Sequence, residues 1–171
     1  MQRLKILLAG ALVVCSAGCA GYHLGPVNPD VGAAGEKTIE VVPFNNQTLQ
    51  PRLGDAVTQA LRERLQTDGT YRLATDGPGD VVITGVITDY QRAAVGFLQS
   101  DVATADSYRI TIVAHVTATA NGKVIFDNKK VIGYTLVQIG TDMPDAERQS
   151  LPLLAEDLAR NVTGLLTEGS W

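Results

Sequence analysis

The only thiols and imidazoles in this 171-residue sequence are Cys15, Cys19, His23 and His115. Neither histidine has a second histidine at ligand spacing, so a metal site is not expected. No Gly-x-Ser-x-Gly or Ser-x-x-Lys places a serine for nucleophilic attack. Gly77-Pro78-Gly79 precedes a strand, whereas a phosphate-cradling loop follows one. Asp101, Asp106, Asp142 and Asp145 fall in expected loops, where solvated acids are ordinary. These patterns predict no catalytic residues, no metal ligands and no cofactor; the chain is read as non-enzymatic, and no ligand-binding residue can be named.

Cys19 is the one side chain whose setting implies chemistry. Arg3 and Lys5 make a short positive start, Ile6–Val14 is apolar, and Ser16-Ala17-Gly18 are small. The apolar run is too short for a bilayer-spanning helix, which takes about 20 residues. Residues 1–18 therefore read as a cleaved signal peptide. Small residues before a cysteine resemble a bacterial lipobox, with Ser16 where Leu is usual. Cys15 fits less well, because Val13-Val14 before it are bulky. The resemblance implies cleavage before Cys19 and acylation of its thiol, palmitate being a typical chain. An ordinary secretory signal cut nearby is the other reading. Each buried methylene of an acyl chain contributes about 0.8 kcal/mol, so more than one chain anchors stably.

Removal of the leader leaves about 150 residues, enough for one domain with a true core. No cysteine follows Cys19, so packing must stabilise that domain without disulfides. The whole chain carries a formal charge of −4, and loss of Arg3 and Lys5 makes the remainder more acidic. Such a balance without Lys/Arg clusters argues against a nucleic-acid partner. Lys123, Lys129, Lys130, Arg92 and Arg109 are the basic residues of the expected sheet. Strand alternation puts Lys129 and Lys130 on opposite faces, so they form no single patch.

Residues 19–37 hold scattered Gly and Pro and no sustained period, and are read as a lipidated tether. Residues 38–171 are read as one α+β domain. Thr38–Phe44 predicts a strand ending at Pro43, and Asn45–Thr48 a turn. Leu53, Ala56, Val57, Ala60, Leu61 and Leu65 form one helical stripe, predicting a helix over about 51–66 that Asp68-Gly69 closes. Tyr71–Ala74 reads as a short strand and Val81–Arg92 as a longer one. Gly85 within it suggests a bulge or close packing under a helix. Ala93–Asp106 is open between strand extensions around a turn and an apolar binding loop.

Ser107–Ala120 and Lys123–Val137 read as strands of a hairpin turned at Asn121-Gly122. A second helix carries Leu151, Leu154, Leu158, Val162 and Leu165 to about Thr167, with Pro152 at its start or kinking it. The order β-α-β-β-β-α predicts two helices on one face of a mostly antiparallel four-stranded sheet. The Val41 and Val81 strands could lie parallel, with the first helix as crossover.

Cys19-Ala20-Gly21-Tyr22-His23-Leu24 resembles the Cys-Gly-Tyr-x-Leu start of LptE, the lipopolysaccharide-assembly outer-membrane lipoproteins. Ile39–Thr48 with Pro51-Arg52-Leu53 and Val57–Arg62 looks like that family's first strand and helix. Gly79–Tyr90 and Tyr108-Arg109-Ile110 resemble its next blocks. The resemblance implies a non-catalytic outer-membrane lipoprotein, on the periplasmic side or in a barrel lumen. It would plug and help assemble an LptD-like β-barrel that inserts lipopolysaccharide, with lipopolysaccharide a possible ligand. Only Cys19 is carried over as a site, because Ala93–Asp106 and Val137–Glu147, flanking the long strands, hold no Lys or Arg. The Val-Pro-Phe-Asn strand and its helix are also similar to CsgG-like and LpoB-like lipoproteins. That likeness implies instead a secretion component or a synthase activator. In a bacterial lipoprotein, Asn46-Gln47-Thr48 and Asn161-Val162-Thr163 carry no meaning as glycosylation sequons.

Overall fold

The computed structural model describes residues 37–98, 101–138 and 143–168. Its elements in chain order are β1 (Thr38–Val41), β2 (Asn45–Asn46), α1 (Leu53–Asp68), β3 (Arg72–Leu73), β4 (Val81–Leu98), β5 (Asp101–Ala120), β6 (Lys123–Gln138) and α2 (Met143–Glu168). The sheet runs β3-β1-β4-β5-β6, with β2 also beside β4.

This corrects the expected four-stranded sheet to a six-stranded, mixed one. β1 pairs parallel with both β3 and β4, β2 pairs parallel with β4, and β4-β5-β6 is antiparallel. The parallel β1–β4 pair joined through α1 was expected. Asn45–Asn46 was expected as a turn. Two-residue strands carry no periodicity, and pairing needs only the backbone that every non-proline residue supplies. Val41 faces Ile83 while Asn45 faces Val86, so the link between β1 and β2 holds one residue more than β4 offers there. Pro43, which lacks an N–H, lies in that link.

The extra length turns Phe44 inward. Its N–H donates to Thr58 Oγ1 at 2.9 Å, and Thr58 Oγ1 donates to Gly54 O at 2.7 Å. A Cβ on Gly54 would lie 2.5 Å from Phe44 O, and one on Gly85 would meet the Phe44 ring. The close packing expected at Gly85 is therefore with Phe44, not with a helix. At the start of β1, Asp80 Oδ2 accepts from Thr38 N and Oγ1, both at 2.8 Å.

α1 buries the predicted stripe: Leu53, Val57, Ala60, Leu61 and Leu65. It begins at Leu53, because Arg52 is left-handed at φ 61°, so Pro51 lies just before the helix. Gly69, at φ 74°, ends it, with its N–H on Leu65 O. α2 buries Leu154, Leu158, Val162 and Leu166 in the same core as Ile83, Ile112, Ala114 and Val131 of the sheet. Pro152 lies inside α2, not near its start.

Ala93–Asp106 resolves as strand extensions: β4 continues to Leu98 and β5 starts at Asp101. Asn121 and Gly122, at φ 48° and 77°, make the expected hairpin turn. On β6, Gly133 lets α2 approach so closely that a Cβ there would lie 2.8 Å from Leu158 Cβ. That approach brings two α2 side chains to the sheet edge. Tyr134 N–H donates to Asp157 Oδ2 at 3.0 Å, and Asn161 Nδ2 donates to Ile132 O at 2.8 Å.

Candidate functional site

Cys19, the one site residue expected from the sequence, lies outside the described residues, as does His23. Among the described residues no group of three His, Cys, Asp or Glu could hold a metal ion, and no helix is long and apolar enough to cross a membrane. Asp106 accepts from the Ser107 hydroxyl at 2.8 Å, and Asp145 pairs with Arg148 three residues on. Asp142 and the side chain of Asp101 lie outside the described residues.

The two faces of the sheet differ in kind. β5 sends Ile110, Ile112, Ala114, Val116 and Ala118 into the core, and the intervening residues point away from the helices. Cross-strand register groups this open face into rows: Val86, His115 and Lys130; Asp89, Val113 and Ile132; Gln91, Thr111 and Tyr134; Ala93, Arg109 and Leu136. On β6 the first row ends at Lys130, and the ends of the other three are apolar and uncovered. Ile132, Tyr134 and Leu136 are 45%, 53% and 60% exposed. The Arg109 guanidinium carbon lies 5.6 Å from the centre of the Tyr134 ring, a cation–π distance. Three such side chains in line along an edge strand make a contact strip, not a pocket.

Beside this strip lies a groove of about 620 Å³ whose lining includes Asn45, Gln47, Thr84, His115, Thr117 and Asn128. Its polar groups are amides, hydroxyls and one imidazole. His115 Nδ1 is buried without a hydrogen-bond partner. Thr117 Oγ1 is already engaged, donating to Asp127 Oδ1 and accepting from Asn128 N. Such a groove can hydrogen-bond a neutral group. The basic residues are dispersed: Arg109 stacks on Tyr134, Arg92 pairs with Glu147 at 3.2 Å, and Lys129 and Lys130 are exposed.

On the helix side, Glu147 joins α2 to β4. The Tyr90 hydroxyl donates to Glu147 Oε1, and Arg92 Nη1 donates to Oε2 at 3.2 Å. Burial and the Glu147 carboxylate push the Tyr90 phenol well above its ordinary pKa. This cluster escaped the sequence analysis because its partners lie more than fifty residues apart, with no local pattern to link them. Asp157 and Asn161 carried a visible signal. They are polar residues at i and i+4, each immediately before a buried residue of the α2 stripe, where a helix meets its neighbour's rim.

A family model described as LptE, Lipopolysaccharide-assembly, matches residues 36–163. No curated protein sequence matches significantly. Among solved structures, a hypothetical protein from Chlamydia trachomatis is similar at TM-score 0.51 and 10% identity, covering 78% of this chain and 99% of that one. A protein from Xanthomonas campestris is similar at TM-score 0.51 and 10% identity, over 78% of this chain and 86% of that one. The rare lipoprotein B from Shewanella oneidensis gives TM-score 0.45 and 13% identity, over 75% and 92%. At these identities the two likenesses at TM-score 0.51 speak to the fold alone.

Proposed function

Because the chain belongs to the LptE family of lipopolysaccharide-assembly proteins, we propose that it acts without catalysis as an outer-membrane lipoprotein that plugs and helps assemble an LptD-type β-barrel. The observation that carries this reading is the extent of the family match. Residues 36–163 include every described strand, all of α1 and most of α2. In this reading acylated Cys19 holds the chain to the periplasmic face of the outer membrane. Residues 20–37 are the tether, and the domain enters the barrel. The open sheet face suits a protein wall better than water, since Ile132, Tyr134 and Leu136 lose exposed apolar surface on contact. Lipopolysaccharide is a possible ligand of the assembled pair.

The test is affinity purification of the lipidated chain from solubilised membranes. The expected product is a complex with a large β-barrel in near one-to-one ratio. Recovery of a peptidoglycan synthase in place of the barrel would overturn the reading. In the same preparation Cys19→Ser should give precursor or soluble protein; a variant that still partitions into detergent at mature mass would count against the anchor.

A further inference from the structure

α2 is one continuous helix of 26 residues fastened to the sheet at two separate places, with a proline between them. The later fastening is extensive. Leu154, Leu158, Val162 and Leu166 are fully or almost fully buried, Leu158 sits against Gly133, and Asp157 and Asn161 hold the β6 edge. The earlier one is sparse. In Met143–Leu151 only Ser150 is buried, with Met143, Ala146, Glu147 and Leu151 partly so. Among the described residues, the polar contacts of this segment with the sheet are those of Glu147, to Tyr90 and Arg92 of β4. Pro152 has no N–H to give to the Arg148 carbonyl, so the helical ladder lacks a rung at the junction. Two residues earlier, the Ser150 hydroxyl donates to the Glu147 carbonyl at 2.7 Å, a back-bond that favours bending. Few buried contacts, a missing rung and one polar clasp are the features of a segment that opens below the global unfolding free energy.

We propose that Met143–Leu151 is a separately opening latch that hinges at Pro152 and is pinned shut by Glu147 on Tyr90 and Arg92. Glu147 also forms one wall of a groove of about 480 Å³, together with Thr48, Leu49, Tyr90 and Arg92. Opening the latch widens that groove beside β4 just past Ile87, where β2 stops pairing with it. The device is independent of which partner the domain meets.

Hydrogen exchange of the purified full chain, followed by mass spectrometry, tests it. In the parent protein the amides of 145–151 should exchange faster than those of 154–166. Tyr90→Phe removes one hydrogen bond to a charged group, and should speed exchange of 145–151 by about tenfold while leaving 154–166 unchanged. Pro152→Ala restores the rung and should slow exchange of 145–151. Equal rates on both sides of residue 152 in the parent, or an equal rise on both sides in Tyr90→Phe, would overturn the latch. No slowing in Pro152→Ala would overturn the hinge.

Discussion

Phe44 shows how single residues set this fold. Its N–H is taken by Thr58, its carbonyl lies against Gly54, and its ring covers Gly85, so α1 and β4 meet at one residue. The strand end at Pro43 was legible because proline forbids the next ladder bond. Gly85 was legible as a place where a neighbour comes close, but not which neighbour. A glycine reports that room is needed; the occupant depends on the extra residue in the β1–β2 link, which only pairing reveals. A methyl on Gly85 must displace the ring or bend β4, so Gly85→Ala should lower unfolding free energy by about 1–3 kcal/mol. Gly164 is the contrast, since it lies in α2 with nothing within 4 Å of an added Cβ. Gly164→Ala should raise stability by about 0.5–1 kcal/mol, the helix-propensity difference. Urea unfolding of both variants checks the pair of opposite signs.

At the level of elements, the helices and most strands were legible, and β2 and the outer part of β4 were not. Both apolar stripes keep the 3.6-residue period because one face of each helix is buried along most of its length. β2 has two residues, too few for any period, whereas β3 falls within the expected Tyr71–Ala74 strand. The outer part of β4 was ambiguous for another reason: residues 91–95 are all exposed, so neither face selects for apolar side chains. The β6 edge shows what an element needs beyond its pattern. An uncovered strand edge invites pairing with another chain. Here Asp157 and Asn161 occupy the Tyr134 N–H and the Ile132 carbonyl, and Asn128, at φ 47°, lies where the β5–β6 register shifts between Val116 and Ala118. Asp157→Ala and Asn161→Ala should each cost about 1 kcal/mol. The double variant should form concentration-dependent oligomers that the parent does not. Size-exclusion chromatography over a concentration series checks this, and an unchanged elution profile would show that the two side chains do not guard the edge.

For the molecule as a whole, stability rests on one cysteine-free core running from Ile39 to Leu166. That much was legible from the position of both cysteines ahead of residue 20. How stability responds to pH was not, because it depends on which polar groups the core traps. Among the described residues two tyrosines have phenols pushed up: Tyr71 by burial and then by the Asp68 charge, Tyr90 by burial and then by Glu147. A raised folded pKa means that the native state holds its proton after the unfolded chain has released it. Their contribution is therefore complete below about pH 10, the unfolded value, and is lost as pH rises through the folded values. The urea midpoint should be level up to about pH 9.5 and then fall, with up to two protons linked to unfolding. Tyr71→Phe and Tyr90→Phe should each flatten that fall, and the double variant should flatten it most. Tyr90→Phe should also loosen 145–151 at neutral pH, whereas Tyr71→Phe should not, so one titration series separates a tyrosine that only fills the core from one that also holds a helix end. An alkaline fall of the same steepness in the double variant would place its origin elsewhere.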